Sequence, residues 1–221
     1  MSTQVKICGI TTPEAADACV KVGADFAGLV FHTASPRFLR SEQARALSAR
    51  LRGRVRIVAL LVDPDDEAVA AAIAAATPDF LQLHGKESAA RVGAVRTRFG
   101  IPVVKALAIA GPEDFADVAA YEEAADMILF DARAPDGATR PGGHGAAFDW
   151  QLLRGRSFSR PWLLAGGLSP DNVARAIRAS GAFMVDVSSG VESEPARKSP
   201  DLIRAFVDAA RAAHLATGSE A

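Results

Sequence analysis

The sequence predicts an α/β protein, a single (β/α)8 TIM barrel with eight parallel strands. Three observations carry that expectation. Short apolar runs alternate with Ala-rich, charge-dotted stretches, and the alternation repeats eight times. The runs are almost continuously apolar, as strands buried on both faces must be. Several intervening stretches open on a capping residue followed by proline. An open doubly wound sheet uses the same alternation. It rarely needs eight such regular units, however, and no GxGxxG follows the first run.

In chain order the predicted strands are 4–8, 26–31, 55–62, 79–84, 102–107, 126–131, 161–165 and 183–187. The stretches between them read as helices. Thr12-Pro13-Glu14, Ser169-Pro170-Asp171 and Ser199-Pro200-Asp201 each place a hydroxyl at a cap and a proline at the first helical position. There the hydroxyl accepts from an orphan N–H, and proline lacks the N–H that would go unpaired. Residues 68–76 are a run of strong helix formers. No linker splits the chain, so we expect one domain over 1–221, with the barrel at about 4–215 and a frayed tail at 216–221. One connection is long: 132–147, rich in Gly, Pro and Arg, which marks it as a functional loop.

Composition narrows the partners. With 25 basic and 26 acidic side chains the formal net charge is −1. Neither nucleic acid nor an anionic membrane is attracted globally by such a chain, and any phosphate site must be local. The two cysteines, Cys8 and Cys19, do not make a disulfide framework. The N-terminus lacks a basic segment followed by an apolar run, and no apolar stretch is long enough to span a bilayer. The expected setting is the cytoplasm, as a monomer or a homodimer. No CxxC, HExxH, P-loop or GxSxG occurs, so no metal and no cofactor are expected.

In barrels of this kind the active site lies at the carboxyl ends of the strands. Cys8 ends the first strand, His84 follows the fourth, Asp131 ends the sixth, and Asp186, Ser188 and Ser189 close the eighth. Gly166-Gly167 ends the seventh and Gly190 follows the eighth. Turns after strands seven and eight commonly hold phosphate, because glycine lets backbone N–H groups come close to its oxygens. Alternatively these are only tight turns. A thiolate serves as a general base, though a free thiol must be tuned for it; alternatively Cys8 is an inert buried thiol. Lys6 and Cys8 share a strand face, so an inward Lys6 would favour the thiolate or pair with Asp186. Asp131 alternatively caps a loop, and His84 is alternatively a satisfied structural histidine. Cys19 falls within the first helix and has no chemical role.

The ordered set of motifs resembles the phosphoribosylanthranilate isomerases over residues 5 to about 207. The matching blocks are Lys6-Ile7-Cys8-Gly9-Ile10-Thr11, Gln82-Leu83-His84-Gly85, Leu129-Phe130-Asp131, Phe148-Asp149-Trp150, Leu164-Ala165-Gly166-Gly167-Leu168 with Asn172-Val173, and Val185-Asp186-Val187-Ser188-Ser189-Gly190-Val191-Glu192. Single blocks recur in other phosphate-binding barrels; the order is specific. The resemblance implies an Amadori rearrangement of N-(5-phosphoribosyl)anthranilate to 1-(2-carboxyphenylamino)-1-deoxyribulose 5-phosphate in tryptophan biosynthesis. It implies Cys8 as general base, Asp131 as general acid and Arg37, in Ser35-Pro36-Arg37, as the anchor of the anthranilate carboxylate. Without the resemblance Arg37 reads as a solvated loop charge.

The expected substrate contacts also include Gln82, His84 and Asp186, and the phosphate set is Gly143, Gly166, Gly167, Ser188, Ser189 and Gly190. Asp186 is expected either at ribose hydroxyls or as the counter-charge of a buried Lys. Two positions depart from the family pattern. His144 stands where Thr or Ser is usual. After Glu192 the usual Gly-x-Lys-Asp reads Ala196-Arg197-Lys198-Ser199, which removes a glycine able to hold positive φ and makes Ser199 the expected cap. The alternatives are the histidine-pathway isomerase, which resembles a barrel with Asp at the Cys8 position, a bispecific isomerase, and a non-catalytic barrel that binds phosphate ligands.

Overall fold

The computed structural model describes residues 2–133 and 148–215, the side chains of 214 and 215 excepted. Gly143 and His144 lie outside the described residues. The strands are β1 (Gln4–Cys8), β2 (Phe26–Val30), β3 (Arg56–Leu61), β4 (Phe80–Leu83), β5 (Val103–Ile109), β6 (Met127–Ala132), β7 (Trp162–Leu164) and β8 (Met184–Val187). All pair in parallel in sequence order, and β1 closes on β8 with Lys6 beside Asp186. The helices are α1 (Pro13–Val22), α2 (Ser41–Leu51), α3 (Asp66–Ala76), α4 (Ala89–Phe99), α5 (Val118–Ala124), α6 (Val173–Ser180) and α7 (Pro200–Leu215). The eight runs read from the sequence are the eight strands.

Alternate strand positions sort into two buried layers. Phe26, Val58, Val104, Ala106, Met127, Leu129, Leu163, Ala165 and Met184 fill the barrel. Val5, Ile7, Ala27, Leu29, Ile57, Leu81, Ile128 and Val185 face the helices. The period of two in a strand produces this division, and burial on both sides explains the uninterrupted apolar runs. At the amino-terminal face an aspartate precedes every even strand up to β6. Asp25, Asp79 and Asp126 accept from the N–H groups of Val5, Ile57 and Val103 at 2.9, 2.7 and 2.9 Å. Each returns its own N–H to the carbonyl of that same residue. These reciprocal clips fix the stagger of neighbouring strands at their starts.

Two of the three cap-and-proline signals work as expected. The Thr12 hydroxyl accepts from Ala15 N at 3.3 Å and the Ser199 hydroxyl from Leu202 N at 3.3 Å. The third is corrected. Helix α6 starts at Val173, not at Pro170. The Ser169 carbonyl, rather than its hydroxyl, accepts from Asn172 N and Val173 N at 3.2 and 3.0 Å. Asn172 takes over the local bonding: its Oδ1 accepts from Ser169 N and its Nδ2 donates to Gly167 O, both at 2.8 Å. A second difference lies between β6 and β7, where the helical element among the described residues is a single 3-10 turn, Trp150–Leu153. Gly155, at φ 73°, follows it, and Phe158 covers Phe130 and Trp162 at ring separations of 4.8 and 5.7 Å. Aromatic packing does there the covering work of a helix.

Candidate active site

The thiol of Cys8 faces the carboxyl-end interior, packed with Val30 and Leu60. Its strand neighbour is Gly28. A Cβ on Gly28 would stand 2.9 Å from the Cys8 sulfur and 3.0 Å from its Cα, so only glycine leaves room for this side chain. One pleat deeper, the buried Lys6 ammonium donates to Asp186 Oδ1 at 2.9 Å. Burial pulls the Lys6 pKa down, but Asp186 and Cys8 outweigh it and hold it above the ordinary value. Burial pushes Cys8 up; Lys6 opposes that by charge and hydrogen bonding without cancelling it. Of the two expectations for Lys6, the structure shows the pairing with Asp186. Cys19, buried on α1, is pushed up to about 12 by desolvation.

Across the barrel, Asp131 is buried on β6. Its Oδ1 accepts from Ala132 N at 2.9 Å, and its Oδ2 lies 3.1 Å from His84 Nε2. Gln82 Nε2 lies 2.8 Å from His84 Nδ1. When Gln82 donates to Nδ1, the proton of the neutral ring sits on Nε2 and points at the carboxylate. Gly166, at φ 86°, lets the turn after β7 approach: a Cβ there would meet Ala132 N at 2.6 Å and Asp131 Oδ1 at 3.1 Å. Gln82, His84 and Asp131 thus form one hydrogen-bonded set on adjoining parts of the rim. The strand order puts β7 and β8 between this set and Cys8 on one side and β2 and β3 between them on the other.

The two glycine turns meet each other. A Cβ on Gly190 would stand 1.9 Å from Leu168 O, so the turn after β8 lies directly on the turn after β7. The N–H groups of Gly167, Ser189 and Gly190 find no acceptor among the described residues. Such amides suit an anion.

Arg37 is 6% exposed, which excludes a solvated loop charge. Its Nε and Nη2 donate to the two oxygens of Glu192 at 2.6 and 2.9 Å. Its stem lies on Gly9, where a Cβ would come within 2.4 Å of Arg37 Cδ. Glu192 also accepts from Lys198 Nζ at 2.5 Å, and Lys198 donates to the carbonyl and hydroxyl of Ser188 at 3.0 and 3.2 Å. The Ser188 hydroxyl in turn donates to Cys8 O at 3.1 Å. Burial pushes Glu192 up, but Arg37 and Lys198 outweigh it and hold its carboxyl below the ordinary value. Burial pulls Lys198 down, opposed by Glu192.

Glu192, Lys198, Asn172 and Gly28 had no role in the sequence reading. Lysine usage was an available signal. The chain has five lysines among 25 basic residues, and three of them, Lys6, Lys105 and Lys198, are buried. The altered segment around Ala196 still builds the hairpin of β9 (Glu192–Glu194) and β10 (Arg197–Lys198). Ala196 adopts φ 64° without the glycine, and Thr11 Oγ1 donates to its carbonyl at 2.5 Å.

With this geometry in view, residues 5–209 match the family model described as N-(5'phosphoribosyl)anthranilate (PRA) isomerase. A protein of Rhodopseudomonas palustris (strain TIE-1) named N-(5'-phosphoribosyl)anthranilate isomerase is 53% identical over 213 residues, 96% of this chain and 100% of that one. The crystal structure of phosphoribosyl anthranilate isomerase from Thermotoga maritima superposes with a TM-score of 0.85 at 37% identity, covering 95% of this chain and 99% of that one. A second solved isomerase, in complex with reduced 1-(o-carboxyphenylamino)-1-deoxyribulose 5-phosphate, gives a TM-score of 0.81 at 35% identity, with coverage of 95% and 99%.

Proposed function

The chain belongs to the N-(5'-phosphoribosyl)anthranilate isomerase family, and we propose that it performs that isomerisation, a step of tryptophan biosynthesis, with Cys8 as general base and Asp131 as general acid. The observation that carries the assignment of roles is the opposition of a buried thiol on β1 to a carboxylate–imidazole pair on β6 and β4. Asp131, entering the cycle as the protonated carboxylic acid, gives its proton to the furanose ring oxygen. The bond from C1 to that oxygen breaks, and the nitrogen lone pair forms the C1=N Schiff base. Cys8, as thiolate, removes the proton from C2. The C2–H electron pair becomes C1=C2 and the C1=N pair returns to nitrogen, which gives an enolamine. Loss of the C2 hydroxyl proton and protonation at C1 then yield the ketone. C2 is oxidised and C1 reduced within one molecule, so no co-reactant is consumed.

The remaining residues hold the substrate. Lys6 and Lys198 surround the thiol with positive charge that favours its ionised form. His84, oriented by Gln82, shares its Nε2 proton with Asp131 and lies within reach of the sugar. One edge of the Arg37 fork is taken by Glu192; the edge that includes Nη1 is left for the anthranilate carboxylate. Gly166, Gly167, Ser188, Ser189 and Gly190 receive the phosphate. Asp186 serves as the partner of Lys6 rather than as a free ribose ligand.

The test is turnover by the purified protein of freshly generated N-(5'-phosphoribosyl)anthranilate, followed by loss of fluorescence, beside the aminoimidazole aminosugar phosphate. Conversion of the first alone is the expected result. Conversion of both means a bispecific enzyme. Conversion of neither by a folded protein that still binds inorganic phosphate points to a ligand-binding barrel and contradicts the proposal.

A further inference from the structure

Arg37, Glu192 and Lys198 form a buried chain with two cations and one anion. Two buried basic side chains share the one carboxylate of Glu192, so the set has room for a second anion. Glu192 fixes the Arg37 guanidinium through both carboxylate oxygens, and Gly9 holds its stem in place. These contacts hold the fork in one orientation. Lys198 bonds at once to Glu192 and to Ser188, the residue that opens the turn after β8 and reaches the carbonyl of Cys8. One run of contacts thus joins the expected carboxylate anchor, the expected phosphate turn and the strand end that carries the thiol.

We propose that Glu192 and Lys198 are positioning residues that set substrate specificity: Glu192 locks the Arg37 fork toward a ligand carboxylate, and Lys198 ties that lock to the phosphate turn, so a ligand must carry both anions at one fixed separation. This rests on the reading of Arg37 as the carboxylate anchor. A preorganised fork gains affinity because its orientation is not set at the moment of binding. A substrate with phosphate but no carboxylate leaves the free edge of the buried Arg37 fork unpaired, which selects against it.

Steady-state kinetics with N-(5'-phosphoribosyl)anthranilate test this, with free anthranilate and inorganic phosphate as competitive probes of the two ends. Glu192→Gln keeps the size and loses the charge. It should raise KM about tenfold, change kcat by less than about threefold, and weaken anthranilate inhibition about tenfold while leaving phosphate inhibition unchanged. Lys198→Met should weaken inhibition by both probes, and Lys198→Arg should restore part of each. Wild-type KM and probe inhibition in folded Glu192→Gln and Lys198→Met overturn the proposal. Where Glu192→Gln does not fold, Glu192→Asp keeps the charge but displaces the fork, and wild-type values in it overturn the proposal equally. Arg37→Met separates the two readings. Unchanged anthranilate inhibition in Arg37→Met removes the carboxylate anchor itself. Loss in Arg37→Met without loss in Glu192→Gln removes only the positioning role.

Discussion

Burial pushes the Cys8 thiol above its ordinary 9.0, and the cationic pull of Lys6 and Lys198 only partly offsets it. In the proposed role of general base, Cys8 would work through a minor thiolate fraction, which grows about tenfold per pH unit below its pKa. We expect kcat/KM to climb with pH through the neutral range, and the limb to move higher in Lys6→Met; a flat profile in both would remove the thiolate from the mechanism. Glu192 behaves in the opposite sense. Its folded pKa is depressed below the ordinary 4.5, so its contribution to stability is fully present above that value and is lost as pH falls through the lowered one. The stability of Glu192→Gln, followed by chemical denaturation, should therefore fall less steeply with acid below about pH 4.5 than that of wild type. Ala196 supplies the third residue-scale expectation. An L-residue at positive φ is strained, so Ala196→Gly should raise unfolding free energy by about 1 kcal/mol, after allowing for the entropy glycine loses on folding. A drop in the denaturation midpoint would contradict this.

At the level of the elements, the β4–α4 turn shows how a loop that carries a site residue is held. Lys105, buried on β5, donates to Gly85 O and to Glu87 Oε2, both at 2.7 Å. Glu87 in turn accepts from Asp63 N at 2.8 Å and from Gly85 N at 3.0 Å. His84 stands at the start of this turn. Lys105→Met leaves Glu87 buried and unpaired and should cost about 3–5 kcal/mol in chemical denaturation; a cost below about 1 kcal/mol would show that the pair is not what fixes the turn. Lysine usage flags Lys105, but its partners were not visible in the sequence, where it reads as one polar interruption in an apolar run. Strand positions were legible because period-two burial writes itself into composition. Local caps were legible where one hydroxyl does one job, as at Thr12 and Ser199. The start of α6 was not, because Asn172 and the Ser169 carbonyl divide that job between a side chain and the backbone. The partners of Arg37 were not either: Glu192 is 155 residues away in the chain, and only the barrel closure of β1 on β8 brings them together.

For the whole molecule, the closed barrel separates stability from chemistry. The clips at Asp25, Asp79 and Asp126 lie at the amino ends of the strands, while the thiol, the carboxylate–imidazole pair and the glycine turns lie at the carboxyl ends. Asp126→Ala should accordingly cost about 1–3 kcal/mol of stability through the unpaired N–H of Val103 and leave kcat near wild type. The proposed catalytic pair, Cys8 and Asp131 on opposite sides of the barrel, has a sharper consequence. Each partner acts on a different atom of the sugar, so neither can substitute for the other. The most direct measurement is the rate of fluorescence loss of N-(5'-phosphoribosyl)anthranilate with wild type, Cys8→Ser and Asp131→Asn, each first shown to be folded by its thermal transition. The account predicts a loss on the order of 10²–10⁴-fold in kcat for either variant alone. A folded Cys8→Ser or Asp131→Asn that turns over within a few-fold of wild type would contradict it.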